Sequence, residues 1–166
     1  MFEKDTYMVY GSSGLCHVCE VGPSPLDPSD DRLYYALHPV CAKPSSMIFT
    51  PVENETIVKR SPMNAAQAKA LLLAIPNIPA LSVEKEKQRR DVYRAALRSA
   101  NPIRLVALIR AVAERRVETA RIGRRLTDAD TDCESKAKDN LFAEIAHVLS
   151  ISREDVAALV ERALNM

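Results

Sequence analysis

"NAAQAKALLLAIPNIPALS", residues 64–82, is where the chain changes character. Asn64 stands before an Ala/Leu-rich run and Gln67 follows three residues later, a pairing close to a capping box. The run reads as a helix that Pro76 and Pro79 cannot continue, so residues 76–82 form a linker. On one side of this stretch the text is strand-like and on the other almost entirely helical. The expected class is α+β: a small Tudor/SH3-like antiparallel β module over residues 1–60, a helix and Pro-containing linker over 61–83, and an all-α helical bundle over 84–166.

Before Ser61, the segments "TYMVY", "LCHVCEV", "RLYYAL" and "SMIFTPV" are short and rich in β-branched and aromatic residues. "GSSG" (Gly11–Gly14) and the Pro- and Asp-rich loop Gly22–Asp31 separate them. Four or five such strands fit a small barrel-like sheet.

After the linker, helix starts recur. Ser82, Asn101 followed by Pro102, Thr127 with Asp130, and Ser152 with Asp155 each offer a side-chain oxygen to the first free N–H groups. At 100° per residue, Leu105, Val106, Ile109, Val112, Ala113 and Val117 share a face. Leu141, Ile145, Val148 and Leu149 share another, as do Val156, Leu159, Val160 and Leu164. These are core positions of a bundle.

The bulk properties narrow the function. There is no run of roughly 20 apolar residues to span a bilayer and no apolar leader core, so a cytoplasmic location is expected. Four Cys among 166 residues do not suggest a disulfide framework. The net charge of +1 conceals an asymmetry: residues 84–125 hold 13 Lys/Arg against 5 Asp/Glu, whereas residues 126–166 hold 4 against 9. A central basic block points to an anionic partner, and a solvated helical face is the plainer reading.

Cys16-x2-Cys19 and His38-x2-Cys41 have the composition of a zinc site. Val18, Glu20 and Val21 favour extended chain, however, and positions three apart on a strand face opposite ways. The four converge only if both strands are bulged, so small strand cysteines are the competing reading. Cys133 reads as incidental and His147 as solvent-facing. No Ser-His-Asp order, Walker loop or Gly-rich dinucleotide turn is present; no catalysis and no cofactor are expected.

The most informative helix is "EKEKQRRDVYRAALRS", residues 84–99. Lys87, Arg90, Arg94 and Arg98 follow at spacings of three, four and four and form one stripe. Val92, Tyr93, Ala96 and Leu97 lie opposite, toward the bundle. Arg offers a planar fork that matches phosphate, so the stripe suits a nucleic-acid backbone. Arg89, Arg104 and Arg110 are further candidates.

The chain resembles the CarD/CdnL family of bacterial transcription regulators, whose N-terminal module is shared with the transcription-repair coupling factor. "MFEKDTYMVYGSSGLCHV" follows the family's M-F-x-x-G-D-x-V-V-Y-x-x-H-G-V-C-x-I run, and "YYALHPVCAKPSSMIFTPVEN" its paired strands. "RDVYRAALRSANPIRLVALIRAV" and "NLFAEIAHVLSISREDV" are similar to the R-x-x-Y-x-x-x-L-R-S-G-D and E-L-A-x-A-L-G-I-S-x-E-x-V blocks. The resemblance implies a Tudor-like sheet docked on the RNA polymerase β subunit and a helical domain on promoter DNA that stabilises the open complex. It also departs from the pattern: Asp5 and Ser150 stand where Gly is usual, Ser13 where His often precedes the Gly, and Phe49 where some relatives carry Arg. The family's Trp wedge is missing, because the chain has no Trp; Leu81 or Val83 falls nearest its place.

The expectation is thus a monomeric adaptor between RNA polymerase and promoter DNA. Val9, Tyr10, Ile48, Phe49, Thr50 and Pro51 would form the polymerase contact by edge-strand pairing. The basic stripe would hold phosphates, with Leu81 or Val83 as an aliphatic wedge. The alternative is a zinc-stabilised interaction module built on Cys16, Cys19, His38 and Cys41.

Overall fold

A computed structural model describes residues 1–165 of the chain. It is a mixed α/β structure: one five-stranded antiparallel sheet followed by five α-helices. The strands are β1 (Tyr7–Tyr10), β2 (Leu15–Pro23), β3 (Leu33–Pro39), β4 (Ile48–Pro51) and β5 (Lys59–Arg60), in spatial order β4-β3-β2-β1-β5. The helices are α1 (Ala65–Ala74), α2 (Arg89–Arg98), α3 (Pro102–Arg121), α4 (Asp128–Leu149) and α5 (Arg153–Leu164). No helix among the described residues is long and apolar enough to cross a membrane.

The inner face of the sheet buries Met8, Tyr10, Cys16, Val18, Tyr35 and Leu37 around one small core. The alternation Tyr35, Leu37 on β3 produces this directly, since every second side chain faces the same way. A register shift between Val18 and Glu20 bulges β2 at Cys19. β5 is only two residues long and carries no strand signature; pairing with β1 creates it.

Four helix starts follow their local chemistry. Asn64 and Gln67 form a reciprocal capping box on α1. Asn101 caps α3 ahead of Pro102, Thr127 accepts from the Asp130 N–H, and Ser152 accepts from the Asp155 N–H. Ser82 departs from expectation. Residues 82–85 stay irregular, a short 3₁₀ turn spans Glu86–Gln88, and α2 begins at Arg89 without a side-chain cap. Glu86 instead pairs with Arg89 and Arg115, so ion pairing rather than capping secures this entrance.

The bundle core is built from Leu71, Ile75, Tyr93, Leu97, Leu108, Ile109, Leu141, Ile145, Val156 and Val160, among others. Val117 and Leu159 lie outside it, 54% and 39% exposed, although their phase places them on the apolar faces. For Val117 the reason is position: burial along α3 ends near Val112, and its last two turns are largely exposed.

Sheet and bundle share an interface. Val9 and Leu15 pack on Ala100, and the Asn140 side chain donates to the Ser12 carbonyl at 3.0 Å. Gly14 lies so close to Asn140 that a Cβ would collide with it, and its φ of +70° independently favours glycine. Glu144, 2% exposed at its side chain, accepts from both terminal nitrogens of Arg60 at 2.6 and 2.8 Å and from the Met63 N–H at 2.8 Å. Arg60 completes the joint by donating from Nε to the Ala100 carbonyl at 2.8 Å. The Tyr7 and His147 ring centroids lie 4.2 Å apart with the planes tilted by 42°, so His147 is exposed yet in contact with the sheet.

Candidate nucleic-acid interface

α2 turns Tyr93, Ala96 and Leu97 into the bundle, which leaves Arg90, Arg94 and Arg98 on its outer side. All three are exposed, and Lys87 is exposed on the preceding 3₁₀ turn. No acidic side chain within ion-pair distance neutralises any of these four among the described residues; Asp91 flanks the stripe in the first turn of α2.

Several other basic side chains are engaged in the fold, whereas Lys85, Arg121, Arg124 and Arg125 are exposed with no ion-pair partner among the described residues. Arg89, 8% exposed, donates to both oxygens of Asp130 at 2.8 and 3.1 Å and also pairs with Glu86. It faces α4 rather than solvent, which corrects its assignment as a phosphate contact. Arg110 is also withdrawn, because its Nη2 donates to the Ile75 carbonyl at 2.9 Å and its Nε is buried. Arg115 bonds Glu86, and Arg116 bonds Glu134, which also pairs with Lys138. Arg104 is exposed at the start of α3.

Burial opposes ionisation of Asp130, but hydrogen bonds from Arg89 and Thr127 and the charges of Arg89 and Arg115 hold its carboxyl below the usual range. Glu134 follows the same logic: burial raises it, and Arg116 with Lys138 more than offsets that.

One cation escaped the sequence analysis. Lys136 on α4 lines a cleft of about 140 Å³ with Arg90, Arg94, Leu97, Ala129, Asp132 and Cys133. Its position in an acidic helix hid it; only the packing of α4 on α2 brings it beside the arginines. Cys133 packs partly on the core, and burial raises its thiol pKa.

Leu81 and Val83, the residues expected as a wedge, are half-buried against the bundle core, and the cavity they line also contains Glu86, Glu114 and Glu118 together with Arg89 and Arg115.

In the sheet, β4 is a free edge and β1 is interior. Val9 is 3% exposed against Ala100, and Tyr10 is 4% exposed with its hydroxyl donating to Thr50 at 2.9 Å. Thr50 is 2% exposed and also accepts from Asn54. These three cannot form a contact surface as the molecule stands, because the strand order and pleat turn them inward. Ile48 and Pro51 are half-buried on the edge, and Phe49 is 41% exposed on the outer face beside Ala36.

The four metal candidates go separate ways. Cys16 is fully buried, which pushes its thiol up to about 12. Cys19, at the bulge, contacts His17 Nδ1 at 3.4 Å. His38 Nε2 lies 3.2 Å from the Lys43 carbonyl, and Cys41 donates to the Asp139 carbonyl at 3.4 Å. Among the described residues no three His, Cys, Asp or Glu side chains are grouped to hold a metal ion.

No protein-family model matches the chain, and neither does any curated protein.

Proposed function

We propose that the chain is a non-catalytic adaptor of the CarD/CdnL type, joining the RNA polymerase β subunit to promoter DNA through a Tudor-like sheet and a basic helical domain. The observation that carries it is the contrast between two sets of cations. Lys87, Arg90, Arg94 and Arg98 are exposed and have no ion-pair partner among the described residues, although Asp132 shares a cleft with Arg90 and Arg94, while Arg60, Arg89, Arg115 and Arg116 are held in ion pairs. A row of uncommitted guanidinium groups fits a phosphate backbone, with Lys136 widening the row from α4.

Two further observations favour the reading. Edge strand β4 carries no charged side chain, which leaves the backbone of Ile48–Thr50, ahead of Pro51, for strand addition. The backbone is compatible with glycine at three of the departures: Asp5, Ala100 and Ser150, which stand where the family blocks read Gly, have φ of 63°, 50° and 53°, the region glycine favours. Only these three non-glycine residues among those described have positive φ.

Replacing Arg90 and Arg94 together by Gln should weaken duplex DNA binding by roughly 10- to 100-fold, equally for all sequences, and lower the salt slope by about 1.8, near 0.9 per lost phosphate contact. Electrophoretic shifts from 50 to 200 mM salt measure both. An unchanged slope would remove the stripe from the interface.

The polymerase arm is separable. Phe49→Glu places charge on the outer face of β4 and disturbs no core residue, so the sheet should stay folded. Co-purification with RNA polymerase should fall at least tenfold, with DNA binding retained. If the intact protein does not co-purify with polymerase, the adaptor reading is lost.

A further inference from the structure

β2 turns Cys16 and Val18 into the sheet core, which leaves His17 and Cys19 half-buried outside it. Cys19 is the extra residue of the bulge between Val18 and Glu20 and has no register partner on β3. Its Sγ lies 3.4 Å from Nδ1 of His17, closer than the competing acceptor, the His17 carbonyl, at 3.8 Å. The other ring nitrogen, Nε2, meets the Asp5 carboxylate at 3.6 Å. The backbone holds Asp5 beside β2, since its N–H donates to the Val18 carbonyl at 2.8 Å. A thiol, an imidazole and a carboxylate thus follow one another, and the two contacts use different nitrogens of the ring.

This order has a chemical consequence. A neutral ring that accepts from the thiol at Nδ1 carries its proton on Nε2, toward Asp5. Transfer of the Cys19 proton to Nδ1 gives a thiolate beside an imidazolium, and the carboxylate favours the charged ring. The other titratable groups around His17 are Tyr7 on β1, with ring centroids 5.2 Å apart, and His38, its register partner on β3; His147 of α4 meets Tyr7. No other cysteine bonds an imidazole among the described residues. Cys16 is fully buried and its thiol donates to the Gly14 carbonyl. Cys41 is exposed, but it donates to the Asp139 carbonyl and partial burial of its sulfur raises the thiol pKa.

We infer that Cys19 is a thiol–disulfide exchange site for low-molecular-weight disulfides, with His17 as its base and Asp5 as the positioning residue behind the ring. Cys19 passes its proton to His17 Nδ1, and the thiolate attacks one sulfur of the small disulfide. The new Sγ–S bond forms as the S–S bond breaks, and the leaving thiolate takes the proton back from His17. Cys19 is oxidised to a mixed disulfide while the departing half is reduced to a thiol, so the step needs no further oxidant. Excess small thiol reverses it. The site is separate from the α2 stripe, and the inference stands independently of the adaptor reading.

The test adds oxidised glutathione to the reduced full chain and follows each cysteine by intact mass and peptide mapping. Cys19 should form its adduct about tenfold faster than Cys41, although Cys41 is the more exposed thiol. Cys19→Ser should abolish the fast adduct and leave the slow ones. His17→Phe keeps a ring against Tyr7; it should slow Cys19 by about tenfold or more near pH 7 and give the pH profile of an ordinary thiol, rising toward about pH 8.5. Asp5→Asn supplies a residue that tolerates the φ of 63° and should move the profile part of the way toward that of His17→Phe. Faster modification of Cys41 or Cys133, equal rates at all sites, or a wild-type profile in His17→Phe would overturn the inference. A loss of rate in Asp5→Asn that is the same at every pH would overturn the assignment of Asp5, because a merely structural residue would act in that way.

Discussion

Glu144→Ala is expected to lower the free energy of unfolding by about 3–5 kcal/mol, the usual cost of leaving a buried charge without its partner. The carboxylate is 2% exposed and accepts three hydrogen bonds, two from Arg60 and one from the Met63 N–H. Its removal strands a guanidinium that is 26% exposed and an amide at the exit of the sheet. Both belong to the junction between β5 and α1, so the damage falls on the joint between sheet and bundle. Glu144→Gln keeps the shape and one acceptor and should cost less. The joint also predicts how unfolding looks. Four of the five Tyr lie in the sheet and the helical signal comes mainly from the bundle, so the two probes report different halves. In the wild type, tyrosine fluorescence and far-ultraviolet circular dichroism should give one urea midpoint. In Glu144→Ala the midpoints should fall and separate. Coincident midpoints at the wild-type position would show that the joint contributes little.

What the sequence made legible was local. Asn64 with Gln67, Asn101 with Pro102, Thr127 and Ser152 cap their helices because a cap needs only a side-chain oxygen two or three residues from an N–H. Strand alternation at Tyr35 and Leu37 was legible for the same reason. Hidden features depend on partners distant in sequence. Arg89 looks like its neighbour Arg90 until Asp130, 41 residues on, takes it inward. Arg60 and Glu144 are 84 residues apart, and neither is remarkable in its own segment. Val9 and Tyr10 have strand character, but only the sheet order decides whether β1 is an edge. Ser82 misled because a cap residue is useful only where the next turn closes, and Glu86 finds Arg89 and Arg115 instead. The spacing of Arg90, Arg94 and Arg98 on one face was legible, but which basic residues lack a partner was not, and neither was Lys136, because its place beside Arg94 comes from the packing of α4 on α2.

Asp130→Ala should cost a similar amount, about 3–5 kcal/mol, and it separates stability from DNA contact within one helix. Asp130 is 1% exposed and receives both Arg89 hydrogen bonds. Losing it leaves Arg89 facing the bundle with only Glu86, itself 65% exposed at its side chain, as a counter-charge. If the cost arises from the abandoned Arg89 charge, removing both members of that pair should relieve it: Arg89→Met with Asp130→Leu should recover the part of the loss that falls on Arg89, with Arg115 losing its 3.5 Å contact to Asp130 but keeping Glu86. Failure of the double variant to recover would place the energy elsewhere in the packing. The pair also sets the acid limit. Asp130 and Glu134 are both held below their ordinary values, so each contributes stability that is complete above the unfolded carboxylate range, near pH 4, and is lost as pH falls through the lowered folded values. Unfolding free energy should therefore decline below about pH 4 in the wild type, and Asp130→Asn should make that decline shallower. The salt slope for DNA should remain that of the wild type in the Arg89→Met, Asp130→Leu variant, since Arg90 and Arg94 stay exposed on the outer side of α2. A slope lowered by about 0.9 would return Arg89 to the phosphate contacts from which its burial removes it.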